Sequence, residues 1–277
     1  MENETDTTNP IVILGGQRIG DCIMTIPAIR AIAEMHHARV DWIHGQYVRA
    51  LFEVFEMSDL PLGSHLEVPE DRTPQDITDI EQWLQKSARH IVAKHKNRYV
   101  FSVDRWKTIG FQHQIYSWAQ GLGVDPDRIR PPTLKLPDEY FAEEDYVVVQ
   151  YDSVSKWKQM TVLKEIHWPL EAHCVGLPGE EIIPGTIDAR TNDLRQIAKL
   201  IYRCRLFVGI NSSLTQLAAA LQKPTIMLHP HDTWAMSSGV EFPDRSNVDL
   251  VNPPKQGLEE AIQRMLNHGD TSNHITD

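Results

Sequence analysis

VGINSSLTQLAAALQKPTIML, residues 208–228, decides the fold. Leu206 to Ile210 is a short apolar run of the length of a buried strand. Asn211-Ser212-Ser213 is a polar turn made of helix-capping residue types. Leu214, Leu217, Ala218 and Leu221 then recur at i, i+3, i+4 and i+7, so a helix with one apolar face follows. Pro224 ends it, and Thr225 to Leu228 is the next strand. Strand, turn, helix and strand in that order make one unit of a parallel sheet.

The same punctuation extends outward. Tyr146 to Gln150 and His173 to Leu177 are predicted strands. Asp193 to Arg203 is a predicted helix, with Leu194, Ile197, Ala198 and Ile201 on one face. Residues 257–267 form a last amphipathic helix, and 269–277 a polar tail. The first half repeats the pattern. Ile11 to Leu14 reads as a strand before Gly15-Gly16. A helix carrying Ile23, Ile26, Ile29, Ile32 and Ala33 follows, with Pro27 near its start, where a missing N–H costs least. Val40 to Ile43 is the next strand. Residues 1–9 read as a disordered lead-in and 58–75 as loop. Helical segments are expected around Ile80 to Lys94 and over 111–122, with a strand at Tyr99 to Val103. Residues 124–139 contain Pro126, Pro131, Pro132 and Pro137 and form the best linker. The expected fold is therefore α/β, with two Rossmann-like domains facing a cleft, over residues 1–140 and 141–277. Ligands of such sheets bind at the carboxyl ends of strands, which points to Gly15–Asp21 and Asn211–Gln216.

Bulk properties narrow the class. A chain of 277 residues, 41% hydrophobic and 23% charged, can bury one or two cores. The net charge of −11 argues against nucleic acid or an anionic membrane as partner. The apolar runs are too short to span a bilayer, and the start MENETDTTNP lacks signal-peptide character, so a cytoplasmic protein is expected. Cys22, Cys174 and Cys204 have no CxxC spacing and read as buried thiols.

Three segments could carry chemistry. GGQRIGD, residues 15–21, is neither a P-loop, since Asp21-Cys22 replaces Lys-Ser/Thr, nor GxGxxG, since position 17 is Gln. What remains is Asp21 in the first turn of a helix. It fits an ordinary acid stabilised by the helix dipole, and it fits a base displayed to a substrate hydroxyl. In the second, Ser212 and Ser213 at a helix start suit a phosphate, or simply cap the helix. In the third, SVSKWKQM (153–160), Lys156 and Lys158 flank Trp157. They read as a solvated loop, or as a cation reaching a diphosphate.

These segments, in this order, resemble the heptosyltransferase family of glycosyltransferases, glycosyltransferase family 9. The family's Gly-Asp turn and Thr-x-Pro-Ala helix are matched by Gly20-Asp21 and Thr25-Ile26-Pro27-Ala28, and its Asp-Trp strand by Asp41-Trp42. Its strand exit with a glutamate is matched by Gly176 to Glu181. Its Asp-Ser/Thr-Gly-x-x-His-Leu-Ala-Ala-Ala helix start is matched by Asn211 to Ala220. The match covers residues 10–50 and 146–235 well and the middle poorly.

The resemblance implies a GT-B fold and inverting transfer of a sugar, such as heptose, from a nucleotide-diphosphate sugar, ADP-linked in that family. Asp21 would be the general base. Gly20, Lys158, Asn211, Ser212, Ser213 and Gln216 would line the nucleotide-sugar site. Glu180 or Glu181 would accept from the ribose. No metal and no further cofactor are required. The acceptor would be a glycan, a glycolipid or a protein. Three positions depart from the family: Asn211 stands for its Asp, Ser213 for its Gly and Gln216 for its His. A catalytically silent nucleotide-sugar or glycan-binding protein, or a nucleotide-sugar epimerase of the same architecture, are the alternatives.

Other features are set aside. His229-Pro230-His231-Asp232 lacks further metal ligands, and its place after a strand suits nucleotide contact better. His36-His37 closes a helix. The tryptophans, including Trp83, Trp106, Trp118 and Trp168, are expected to pack in cores.

Overall fold

The computed structural model describes residues 11–14, 18–45, 48–68, 100–102, 115–116, 120, 123–137, 143–153, 156–232, 238–240 and 246–269. The expectations for residues 1–9, Ile80 to Lys94, most of 111–122, Gly15-Gly16, Trp83, Trp106 and Trp118 lie outside them. The chain divides into two compact units, Met1–Pro132 and Thr133–Asp277. The division falls within the proline-containing stretch 124–139.

In the first unit β1 (Ile11–Leu14), β2 (Val40–Gly45), β3 (Leu62–Val68) and β4 (Val100–Ser102) form a parallel sheet ordered β3-β2-β1-β4. The helix α1 (Ile19–His36) crosses over from β1 to β2. It is buried on nearly every side, from Gly20 through Ala33, because its sequence is apolar all round. Pro27 lies in the helix interior, not near its start. The helix begins at Ile19, so the missing Pro27 N–H removes a bond to the Ile23 carbonyl. One turn earlier the Thr25 hydroxyl donates to the Asp21 carbonyl at 2.8 Å. The helix closes at His37, in the left-handed region at φ 49°, and Ala38 N–H donates back to Ala33 O.

Residues 58–75 are not simply loop, since they contain β3. Its pairing to β2, with Trp42 opposite His65 and Ile43 opposite Leu66, outweighs a turn-rich local composition. Between these strands the short helix α2 (Arg49–Val54) brings Phe52 over His65, with ring centroids 4.0 Å apart. Buried His44 lies beside them, its Nε2 3.3 Å from His65 Nδ1. Its Nδ1 lies 2.8 Å from the Gly45 carbonyl. Nδ1 therefore carries the proton and donates to that carbonyl, and Nε2 accepts from His65. Burial pushes the His44 pKa down to about 4; the Gly45 bond opposes this and His65 adds to it.

In the second unit β5 (Tyr146–Gln150), β6 (Glu171–Cys174), β7 (Ile187–Asp188), β8 (Leu206–Ile210), β9 (Thr225–His229) and β10 (Asn247–Val251) form a parallel sheet. The order is β10-β9-β8-β5-β6-β7. This is the doubly wound arrangement, and strand order reverses between β5 and β8. The strands β5, β8 and β9 are buried along their whole length, as expected of parallel strands covered on both faces. β7 and β10 are end strands that no apolar run in the sequence announces.

This unit carries the helices α3 (Leu194–Arg203), α4 (Ser213–Ala220) and α5 (Lys255–Gly269). Asp193 caps α3, its carboxylate accepting from Arg195 and Gln196 N–H at 2.8 and 3.3 Å. One face of α5, with Leu258, Ile262 and Met265, joins Val147, Val149, Val208 and Ile226 in a single core. Gly209 lets α4 approach β8. A Cβ there would lie 2.7 Å from the Phe207 ring and 2.8 Å from Thr215 Oγ1. The three cysteines are buried, and burial pushes the Cys204 thiol up to about 12. Trp168 packs against the core of this unit, its Nε1 buried and without a hydrogen-bond partner among the described residues. Trp157 departs from the expected packing and is 54% exposed.

The two α/β units, each with a Rossmann-like parallel sheet, make the GT-B type of chain that the sequence predicts. Among the described residues no helix is long and apolar enough to cross a membrane.

Candidate functional site

In the second unit the switch point lies between the carboxyl ends of β5 and β8. The chain leaves β5 as Tyr151-Asp152-Ser153 and enters a 3₁₀ turn, Lys156–Lys158. It leaves β6 into the turn that carries Glu180 and Glu181, and leaves β8 into Asn211-Ser212 and α4. The predicted residues Lys158, Glu180, Asn211, Ser212, Ser213 and Gln216 thus all follow carboxyl ends of one sheet.

Hydrogen bonds through the buried Gln150 and Asp152 join these three exits. Ser212 is the N-cap of α4 by backbone position, but its side chain makes no cap bond. The Ser212 hydroxyl donates instead to Gln150 Oε1. The expectation of side-chain capping is corrected here: the hydroxyl reaches across the switch point to the neighbouring strand. The first-turn N–H groups of a helix have no partner within the helix, so this start keeps its anion-binding character. Gln150 Nε2 donates in turn to the Asp152 carbonyl at 3.2 Å.

Asp152 is 1% exposed. Its Oδ1 accepts from Ser153 N–H and from Gln159 Nε2, both at 2.7 Å, and its Oδ2 accepts from Glu181 N–H at 2.8 Å. Three donors offset the desolvation of the carboxylate. They also tie the turn beside Lys158 to the turn beside Glu180. Lys158 Nζ lies 5.4 Å from the centroid of the exposed Trp157 ring, within cation–π range.

Glu180 spends one oxygen on its own turn. Its Oε2 accepts from Leu177 N–H at 2.8 Å. Gly176, at φ 153°, makes room for that carboxylate, because a Cβ there would lie 2.4 Å from Oε2. Arg190 donates to the Glu180 carbonyl and pairs with Asp188 through two nitrogens, at 2.7 and 2.6 Å. The guanidinium holds the Asp188 carboxyl at about 2. Glu181 is paired with Lys164 through its Oε1.

Asn211 and Gln216 serve a second network, with Ser238 and with residues of β9 and β10. Asn211 Nδ2 donates to Ser238 Oγ at 2.7 Å and lies 3.3 Å from His229 Nδ1. Gln216 Nε2 donates to the Ser238 carbonyl at 2.7 Å. His229 Nε2 lies 2.7 Å from Asp249 Oδ1, and Asp249 Oδ2 accepts from Val240 N–H at 2.8 Å. An amide donor at Nδ1 and a carboxylate at Nε2 require the neutral tautomer protonated at Nε2. His229 is fully buried, so of the segment 229–232 it is not the residue turned to solvent. His231 and Asp232 are exposed. Among the described residues no group of three or more His, Cys, Asp and Glu could hold a metal ion.

Gly20 and Asp21 belong to the first unit. Gly20 is buried and Asp21 half-buried in the first turn of α1. The helix has no side-chain cap at Arg18, and its dipole favours the carboxylate.

Comparison with known proteins agrees with this architecture. Residues 181–235, which hold the β8 exit and α4, match glycosyltransferase family 9 (heptosyltransferase). Over these residues the chain is similar to that family. The glycosyl transferase family 9 protein from Veillonella parvula DSM 2008 is 14% identical, with a TM-score of 0.67 over 94% of this chain and 98% of its own. The E. coli ADP-heptose lps heptosyltransferase II is 13% identical, at TM-score 0.66 over 94% and 99%. E. coli heptosyltransferase WaaC, solved with ADP, is 12% identical, at TM-score 0.58 over 94% and 99%. At such identities the structural likeness is one of fold. No curated protein matches the chain.

Sequence reasoning passed over Gln150, Asp152, Gln159 and Asp249. Asp152 carried a signal, an acidic residue directly after an apolar strand in a doubly wound pattern. Asp249 carried none, because its partner His229 is distant in sequence.

Proposed function

We propose that this heptosyltransferase-like glycosyltransferase moves a sugar from a nucleoside-diphosphate donor to an acceptor hydroxyl with inversion. Asp21 is the general base on that hydroxyl. Lys158 offsets charge on the departing diphosphate. Ser213 and the first-turn N–H groups of α4 hold that diphosphate, and Ser212 sets the start of the helix. Glu180 accepts from the ribose with its Oε1. A base that takes the proton as the new bond forms contributes roughly 10²–10⁴-fold. Cationic and dipolar groups aimed at the leaving oxygens lower the barrier further. No step in this scheme requires a metal. An ADP-linked donor is the first choice, because the related WaaC was solved with ADP. The acceptor is a glycan, a glycolipid or a protein side chain.

The observation that carries this reading is the hydrogen-bonded bridge from Ser212 through Gln150 and Asp152 to Gln159 and Glu181. It organises around one switch point the three segments that a nucleotide diphosphate needs. Calorimetric titration with ADP, UDP, GDP and CMP, on the protein and on Lys158→Ala, tests it. Selective binding of one nucleotide, weakened in the variant, supports donor binding. Absence of binding by all four rejects it. Turnover of the matching nucleotide sugar, lost in Asp21→Asn, then tests transfer.

One observation favours a second reading, a silent nucleotide-sugar-binding protein. The amide nitrogens of Asn211 and Gln216 are engaged by Ser238 rather than turned to a ligand. Turnover dependent on Asp21 would reject that reading.

A further inference from the structure

We propose that Asp152 is a positioning residue that sets the phosphate end and the ribose end of the donor site against one another. The inference rests on the reading of Lys158 and Glu180 as donor-binding groups, and adds to it a residue that touches neither the sugar nor the nucleotide. Asp152 lies just past the carboxyl end of β5 and is 1% exposed. A buried carboxylate is costly unless each oxygen is met by donors. Here the donors come from two different turns. Gln159, next to Lys158, reaches Oδ1, and the Glu181 N–H, next to Glu180, reaches Oδ2.

The geometry gives the carboxylate a coupling role. Each turn is short and irregular. The 3₁₀ turn Lys156–Lys158 spans three residues, and the Glu180 turn is closed by a left-handed Gly179 at φ 92°. Such segments lack the internal ladder that stiffens a helix or strand. A common buried anchor fixes both at once, so the entropy of ordering them is spent at folding rather than at binding. Through the Asp152 carbonyl, Gln150 and Ser212, the same anchor is continuous with the start of α4. An amide at position 152 would keep an acceptor for Gln159 and Ser153 while turning an NH₂ toward the Glu181 N–H. That substitution opposes donor to donor at the link between the turns.

A double-mutant cycle tests the coupling. Binding of ADP, UDP and GDP is measured by calorimetry on the full chain, on Asp152→Asn, on Gln159→Ala, on Lys158→Ala, and on each of the first two combined with Lys158→Ala. Melting curves report folding of every variant. Residues in one hydrogen-bond network couple strongly, so Gln159→Ala is expected to weaken the best-binding diphosphate about tenfold alone and less than about twofold once Lys158 is absent. Asp152→Asn is expected to cost more, and its cost is expected to shrink by about tenfold in the Lys158→Ala background. Losses that are the same with and without Lys158 would overturn the proposal and leave donor binding intact. If Asp152→Asn does not fold, Gln159→Ala carries the same two outcomes by itself. Failure of the unmodified protein to bind any of the three diphosphates would overturn the donor-site reading, and this inference with it.

Discussion

The exits of β1 and β5 occupy the same place in the same topology, yet they are built differently. Each strand lies between the next strand of its sheet on one side and a later crossover strand on the other. After β1 the chain enters an 18-residue helix whose apolar surface seats it against the sheet, and Asp21 rides on its first turn. After β5 it enters short 3₁₀ turns held by a buried carboxylate. The helix after β1 is positioned by hydrophobic packing of one long element, the turns after β5 by hydrogen bonds between elements distant in sequence. A single displayed acid needs only a rigid platform. A site that must grip both ends of an extended ligand needs segments registered to each other.

The largest expected effect breaks the comparison at the first exit. Asp21→Asn should lower transfer by roughly 10²–10⁴-fold, while nucleotide affinity and melting temperature stay near those of the parent. A comparable fall in nucleotide affinity would show that the two exits do not divide the work as proposed. Lys158→Ala should weaken diphosphate binding about 10–100-fold, the size of a charge-assisted contact, without unfolding the protein; calorimetry reads it.

Next in size is the His229 network of the second unit. His229→Leu strands Asp249 and Asn211 without their shared partner. It should destabilise the fold by about 1–3 kcal/mol in urea unfolding while Asp21-dependent chemistry in the surviving folded fraction is retained. The first unit has its own titrating group. Folded His44 has its pKa lowered to about 4 by burial, whereas in the unfolded chain it protonates near the ordinary 6.5. Between those values the unfolded state binds the extra proton, so stability should fall as pH drops from about 6.5 towards 4 and be complete above that window. His44→Phe should flatten the contribution, read as a smaller difference in urea midpoint between pH 7 and pH 4.5. The smallest effect is expected from Asp193→Ala, which removes the cap of α3 at a cost of about 0.5–2 kcal/mol and leaves nucleotide binding unchanged.

The contrast also explains what could be read from the residues alone. Strands such as Leu206–Ile210 and helices such as Leu194–Arg203 follow from periodicity because their burial is a local pattern. The turn residues Ser212 and Lys158 were visible because their chemistry stands out against apolar neighbours. β3 was hidden: His65 and Ser64 gain strand geometry only from pairing with Trp42 and Asp41. Pro27 was misplaced because α1 begins with Ile19-Gly20-Asp21, whose glycine weakens any helix signal. The Asp152 and His229 networks were illegible for a related reason. Each joins residues from separate crossovers, and no spacing rule connects Asp152 to Glu181 or His229 to Asp249.

The parallel pairing of β5 with β8 also bears on how the molecule comes into being. Val147 pairs with Leu206 and Val149 with Val208, so the central seam of the second sheet joins strands separated in sequence by two others, β6 and β7. No hairpin can nucleate it, and non-local pairing of this kind slows folding. During synthesis the apolar run Tyr146–Gln150 must wait for β8 to leave the ribosome before that edge is covered, and until then it is open to mispairing with other nascent chains.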